Sequence, residues 1–401
     1  MSLITSASAS SAPAFISRVK PFVAAGRPVS VASGPNDSCC LSQRDTLCMS
    51  RQQFEAQLKA MPKVQYHGHL EGWVRPETIL EEADRLGRPR PAESVEQMKE
   101  LVSMRPGENL LDFLKKFDPF RFVFEDRQSI ERISYEAVED NVKDGVGYVE
   151  LRMNCQKNLN KISIGEVMDA ALDGMHRAAQ ELGVEANFIA SINRSYAAED
   201  AMAIVKEAVQ RKGRGVIGID LAGDEINHPP VKFKEVFDYA RQNGLHVTVH
   251  AGEAMGPDSI AQAIDELGAT RIGHGTRLRE DQQLFDRVVA QGIHLEMNPT
   301  SNLLLNVVDS LKGYPLREYF EAGISTSINT DDQHIFQVGL VDEYMEQARL
   351  NNFSLQELQQ MNLRALDHAF LPAERRQELK EEFAARYEQF NQQIVDSWNV
   401  V

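Results

Sequence analysis

Eight short apolar runs, separated by segments long enough for a helix, are the feature that most constrains this chain. They are VQYHGHL (64–70), GYVELRM (147–153), ANFIASI (186–192), VIGIDLAG (216–223), HVTVHAGE (246–253), RIGHGT (271–276), HLEMNPTSN (294–302) and STSINTDD (325–332). Each is of strand length, and most run into turn or polar residues. Strands that alternate with helices pair in parallel, and eight of them predict closure into a (β/α)8 TIM barrel. The spacer after the first run is unusually long. It carries helical patterns such as PETILEEADRLG and NLLDFLKKFDPF, which predict a helical insertion over one barrel end. Beyond the eighth run, LQELQQMNLRALDHAF and PAERRQELKEEFAARYEQFNQQI predict extra C-terminal helices. No fixed-period repeat and no linker interrupts this body, so residues 49–401 read as one barrel domain.

Residues 1–48 have a different texture. They are rich in Ser and Ala, their first acidic residue is Asp37, and Arg18, Lys20 and Arg27 supply positive charge. That composition fits a plastid or mitochondrial transit peptide, and a disordered tail or a misassigned start codon accounts for it equally well. The expected compartment is cytoplasmic, or plastid or mitochondrial if the segment is a transit peptide. Cys39, Cys40 and Cys48 fall in this leader and only Cys155 in the body, which excludes both a disulfide framework and a zinc site built from CxxC pairs. A metal here must be held by His and carboxylates. The net charge of −16 repels phosphate backbones and anionic membranes, and no run approaches the roughly 20 apolar residues of a membrane span. The expected partner is a small molecule, with no nucleic acid and no membrane. The oligomeric state stays open, and a monomer is compatible with the sequence.

Barrel enzymes carry their reactive side chains at the C-terminal ends of the strands. Here the first run ends in His67-Gly68-His69, the fifth in His250-Ala251-Gly252-Glu253, the sixth around His274 and the eighth in Asp331-Asp332; four of the ten histidines fall at these ends. Strand residues two apart point the same way, so His67 and His69 aim together into the barrel mouth, where His250 and Asp331 join them from the far wall. Three imidazoles and a carboxylate leave a position for one water on a zinc ion, which lowers the pKa of that water to near 7. Glu253, three residues beyond His250, is a candidate proton donor, although a carboxylate at a helix start needs no catalytic role. His274 follows a glycine-containing run and is placed to orient the water. Asp332 reaches the same site only if the strand ends or bends between it and Asp331, because neighbouring strand residues point opposite ways. His246 and His294 begin strands, the stability end of a barrel, and His176 and His368 lie in helical text. None of these four is expected to bind metal; His334 could line the rim.

The ordered segments PKVQYHGHLEG, DLAGDE, VHAGE, RIGHGT, NPTSN and INTDD resemble the adenosine deaminase family of the amidohydrolase superfamily, from about Met61 to the C-terminus. LLDFLKKFD is similar to the family's substrate-pocket helix and DNVKDGVGYVELR to its second strand with the preceding helix. The resemblance implies one zinc per chain on His67, His69, His250 and Asp331. It implies hydrolytic deamination of adenosine and 2′-deoxyadenosine to the 6-oxo purine and ammonia, in purine salvage. Glu253 would protonate ring N1, His274 would orient hydroxide and take part in proton transfer, and Asp332 would bond N7 and hold the attacking water. His69 and Glu71 would border the substrate, with Glu71 at the ribose 5′ end, and the backbone N–H of Gly223 would meet N3. Leu110, Phe113, Leu114 and Phe117 would form an apolar wall over base and ribose; their helical spacing is equally that of simple packing.

Four positions depart from the family pattern. Glu71 stands where adenosine-specific members often have Asp, Gly68 where a larger residue separates the two histidines, Asn298 where Cys is usual, and Gln333 where Pro follows the Asp pair. Glu71 keeps other 6-aminopurines open as substrates: N6-methyl-AMP, a 5′-substituted adenosine, aminodeoxyfutalosine or adenine. A 5′-phosphate would need an added basic residue near Glu71, and Arg75 is the nearby candidate. A barrel metallohydrolase with two metals bridged by a carboxylated lysine is disfavoured, since VIGIDLAGDE contains no Lys. A catalytically silent binding protein is disfavoured because no ligand residue is missing.

Overall fold

The computed structural model describes residues 50–105, 107–108, 110–155 and 161–398; the expected leader, 1–48, lies outside the described residues. The eight strands are β1 (Lys63–Gln65), β2 (Val146–Asn154), β3 (Glu185–Asn193), β4 (Val216–Ala222), β5 (His246–Ala251), β6 (Arg271–His274), β7 (His294–Met297) and β8 (Thr326–Ile328). They pair in parallel in sequence order. The ring closes through an isolated parallel bridge between Gly68 and Asp331, where Asp331 N–H donates to His67 O at 3.1 Å and His69 N–H to Asp331 O at 3.3 Å. This is the (β/α)8 barrel that the pattern predicts.

Several runs are shorter as strands than their apolar length suggests. The 64–70 run leaves the ladder at Gln65. Beyond it Tyr66 N–H donates to the Asn329 side chain at 2.9 Å, so a side-chain acceptor replaces the neighbouring strand. The 294–302 run divides into β7 and a helix, Pro299–Leu304, opened by a proline at its first turn, where a missing N–H is harmless.

The insertion after β1 forms the helices Pro76–Arg85, Val95–Val102 and Leu110–Lys115 and a 3-10 segment, Asp118–Glu125. Serine-glutamate capping boxes start the outer helices Ile164–Leu182 and Leu355–Leu366, satisfying N–H groups that a helix start leaves unpaired. The C-terminal helices end with Ala373–Trp398. No helix among the described residues is long and apolar enough to cross a membrane.

The interior of the barrel is charged as well as apolar. Arg152 donates to Glu296 at 2.7 Å and lies 3.4 Å from Asp220. Arg271 forms an ion pair with Glu150 at 2.6 Å and donates from Nε to Glu296 at 2.7 Å, and its guanidinium lies 3.5 Å from the centre of the Phe370 ring. All five ionic side chains are fully buried. Removing one partner from such a lattice strands a charge, at a cost of about 3–5 kcal/mol. The lattice therefore fixes side-chain positions directly beneath the strand ends.

Candidate active site

His67, His69, His250 and Asp331 converge at the mouth of the barrel, with one donor atom from each lying within 4.8 Å of the others. His67 Nε2 and His69 Nε2 are each 3.4 Å from Asp331 Oδ1, and His69 Nε2 is 3.1 Å from His250 Nε2. Metal bonds of about 2.0–2.1 Å at tetrahedral angles place ligands about 3.3 Å apart, so the spacing suits a single ion. The donor chemistry agrees. His67 Nδ1 lies 2.8 Å from Glu296 Oε2 and His250 Nδ1 3.0 Å from Asp220 Oδ1. Carboxylates that accept a hydrogen bond from Nδ1–H leave both Nε2 lone pairs facing inward. His67 Nε2 is buried without a hydrogen-bond partner, as a nitrogen awaiting a cation would be.

Backbone strain aims two of these side chains. Asp331 and His274 adopt left-handed φ values of 61° and 66°, uncommon for residues with a Cβ and concentrated at functional sites. The bend at Asp331 breaks strand alternation, and this lets Asp331 and Asp332 face one cavity. Ser301 Oγ donates to Asp331 Oδ2 at 2.8 Å, and Trp73 Nε1 donates to Asp331 O at 2.9 Å. That indole explains Gly68: a Cβ there would lie 2.9 Å from both Trp73 Nε1 and a methyl of Leu151. The small residue between the histidines is matched to the tryptophan behind them.

A cavity of about 420 Å³ opens over the cluster. His69, Glu71, His250, Glu253, His274, Asp331 and Asp332 line its floor, with Phe113, Leu114, Phe117, Arg121 and Phe124 from the insertion and Gly223 from the β4 loop. Leu114 is 40% exposed beside the opening; the side chain of Leu110 lies outside the described residues. Burial, and then the charges of Asp331 and Glu225, push the Glu253 carboxyl well above the usual carboxylate range. Burial and then Asp331 do the same to Asp332, whose Oδ1 has no hydrogen-bond partner. Burial raises Glu71 to about 7 and pushes His274 well below the usual imidazole range. Burial thus favours the protonated form of these carboxyls and the neutral form of the His274 ring, a set suited to general acid chemistry.

Some expectations are revised. Glu71, just past the 64–70 run that reads as the first strand, lies on a 3-10 turn, Leu70–Trp73, and the turn brings it to the cavity. There Asn154 N–H donates to Glu71 Oε1 at 2.7 Å while Oε2 is buried and unpaired. Arg75 does not face the cavity. It is held by Asp140, at 2.9 Å, and by Glu139, at 2.5 Å. His334 does not line the cavity, and its Nε2 lies 3.5 Å from Asp140. Sequence reasoning missed the supporting residues Asp220, Glu296, Ser301 and Trp73, and the lining residues Arg121, Asn154, Asn193 and Tyr196. For Asp220 and Glu296 a signal existed: each is the lone carboxylate of its strand.

Comparison with known proteins agrees with this geometry. The family model for adenosine deaminase matches residues 62–386. The adenosine deaminase of Shigella flexneri is 37% identical over 329 residues, which is 81% of this chain and 98% of that relative. An amidohydrolase from Burkholderia ambifaria with bound Zn superimposes with a TM-score of 0.78 at 25% identity, over 88% of this chain and 97% of that one. An N6-methyl-AMP deaminase from Arabidopsis thaliana gives 0.73 at 26% identity, over 82% and 98%. Fold and site thus define a barrel hydrolase of the amidohydrolase kind. The chain belongs to the adenosine deaminase family and is a hydrolytic deaminase of 6-aminopurine compounds.

Proposed function

We propose that the protein deaminates adenosine and 2′-deoxyadenosine in purine salvage, with one zinc ion per chain held by His67, His69, His250 and Asp331. Zinc bound there supplies hydroxide at neutral pH. The residues around it divide the remaining work. Glu253, as a neutral acid, donates its proton to ring N1 and leaves C6 electrophilic. Asp332, also proton-bearing, donates to N7. His274 orients the attacking water through its ring N–H, and the Gly223 N–H meets N3. Phe113, Leu114 and Phe117 cover the base and exclude water. The hydroxyl of water bonds to C6 and the water's remaining proton passes to the exocyclic amine; the C6–N bond then breaks to release ammonia, and the C6–OH proton returns to the Glu253 carboxylate, which leaves the 6-oxo purine with N1 protonated.

The observation that carries the choice of a nucleoside is the scarcity of cations on the cavity wall. Glu71, Asp224, Glu253, Asp331 and Asp332 line it, against a single arginine, Arg121. Arg121 is half exposed and already paired with Asp118 at 2.8 Å, and Arg75 is committed elsewhere. A 5′-phosphate would meet more carboxyl groups than cations. One specific observation favours a second reading, deamination of a 5′-phosphorylated substrate such as N6-methyl-AMP: Arg121 does stand at the mouth, and a relative of similar fold bears that activity.

Ammonia release from adenosine, 2′-deoxyadenosine, adenine, 5′-methylthioadenosine and N6-methyl-AMP separates the readings. The expected result is the highest kcat/KM for the two nucleosides, with one zinc per active chain by metal analysis. A preference for N6-methyl-AMP of more than tenfold overturns the nucleoside reading, and full activity after thorough chelation overturns the zinc site.

A further inference from the structure

The imidazole of His274 is fully buried, and which of its ring nitrogens bears a hydrogen decides what the side chain can do. Its Nε2 faces the cavity, 3.9 Å from Asp331 Oδ2. Its Nδ1 faces inward, where two amide nitrogens meet it: Asn298 Nδ2 at 3.2 Å and Asn302 Nδ2 at 3.0 Å. Amide ends are distinguished by their other partners. The Asn298 nitrogen also lies 3.2 Å from the backbone carbonyl of Glu296, a group that only accepts. That end must therefore be the NH2, since an oxygen there would face another oxygen. Asn302 is oriented in the same sense, because its Oδ1 is met by the hydroxyls of Thr276 at 2.6 Å and Tyr314 at 2.8 Å. Two donors converging on Nδ1 leave it no room for a hydrogen.

We propose that Asn298, backed by Asn302, is a positioning residue that fixes His274 as the Nε2–H tautomer. The proposal rests on the reading of His274 as the group that orients the attacking water, and it extends that reading in two ways. The Nε2–H bond is directed into the cavity as a donor with no reorganisation during the reaction. The occupied Nδ1 also cannot take the proton of Glu253, whose Oε1 lies only 3.6 Å away. Glu253 then keeps its proton for the substrate ring. Asn298 is fully buried, as is Asn302, and a buried amide in a helix-starting NP pair with its oxygen unpartnered is costly unless its donors are used.

Neutron diffraction from deuterium-exchanged crystals of the zinc-loaded protein tests the proton position without reference to activity. The expected map has deuterium on His274 Nε2 and none on Nδ1; deuterium on Nδ1 overturns the proposal. Asn298→Asp replaces a donor by an acceptor. It should move the deuterium to Nδ1 and lower kcat by about 100-fold or more, with KM changed little and zinc content unchanged. Asn298→Ala leaves Asn302 in place, so its deuterium should stay on Nε2 and its kcat should fall less than tenfold. An Asp variant with parent-like kcat and deuterium still on Nε2 also overturns the proposal. If the Asp variant does not fold, the parent map alone decides. A protein with deuterium on Nε2 but no turnover of any 6-aminopurine would sink the functional reading while leaving the tautomer assignment standing.

Discussion

Gly72 lies directly against the side chain of Asp332: a Cβ built on Gly72 would come within 2.0 Å of Asp332 Oδ1 and 2.3 Å of its Cβ. The obstruction includes the root of the aspartate side chain, so a rotamer change of Asp332 alone cannot relieve it. The 3-10 turn that carries Glu71 and the loop that carries Asp332 can approach this closely only because position 72 has no side chain. Gly72→Ala should displace Asp332 and lower kcat/KM for adenosine at least tenfold, since misplacement of about 1 Å can cost about a hundredfold. Zinc content should be kept. Parent-like kcat/KM in the variant would show that Asp332 takes no part in substrate positioning.

The acid role of Glu253 has a separate test. Glu253→Gln preserves shape and hydrogen bonding but removes the proton that a carboxylic acid can give. Zinc content should stay at the parent value, because Glu253 is outside the His67, His69, His250 and Asp331 cluster. The expected loss in kcat is about 10²–10⁴-fold. Turnover within a few-fold of the parent would assign the acid elsewhere.

Much of this was legible in the sequence, for a physical reason. Parallel strands buried on both faces read as apolar runs, and reactive residues at their ends interrupt those runs where the pattern can be seen. His67, His69, His250 and Asp331 were therefore visible as a set, and the structure brings them together. What was not legible depends on tertiary contacts. The 3-10 turn that delivers Glu71 comes from the backbone leaving the ladder at Gln65, which no local pattern announces. Arg75 looked available because Glu139 and Asp140, its partners, stand on a helix more than sixty residues away. Asp332 was doubtful by strand alternation, and the left-handed backbone at Asp331 resolves it. Gly68 looked like a departure until Trp73 appeared behind it.

Burial also leaves a signature in stability. Glu343 is fully buried on the helix Leu340–Asn351, where Thr300 N–H donates to it at 3.0 Å, and burial raises its pKa to about 8. A folded pKa above the unfolded one contributes stability that is fully present below about 4.5 and lost as the pH rises through about 8. Glu343→Gln keeps the acceptor oxygen and removes the titration. The variant should therefore be relatively more stable than the parent at pH 9 than at pH 6, by an amount on the order of a few kcal/mol. Thermal unfolding of both proteins at the two pH values measures it; a Tm difference that does not change with pH contradicts the assignment.

The last prediction concerns the 5′ end of the substrate. Glu71 has one oxygen anchored by the Asn154 N–H and the other buried and unpartnered at the cavity wall. An oxygen held in place and lacking a partner is a ready acceptor for a ribose hydroxyl. Its distance from the chemistry follows from the fold, since Glu71 leaves the chain on the turn after β1 while Glu253 comes from the β5 end across the mouth. Glu71→Ala should then weaken substrates that carry a 5′-hydroxyl and spare those that do not. Removing one such hydrogen bond should cost about 1–3 kcal/mol, about one to two decades in kcat/KM. Glu71→Asp keeps the carboxyl but is one methylene shorter, so it should shift the ratio between adenosine and 5′-modified adenosines with a smaller overall loss. The deciding comparison is adenosine against 5′-deoxyadenosine in the parent and the Ala variant. An equal fall for both substrates would mean that Glu71 supports the metal cluster or the turn, and that the 5′ end is recognised by other residues.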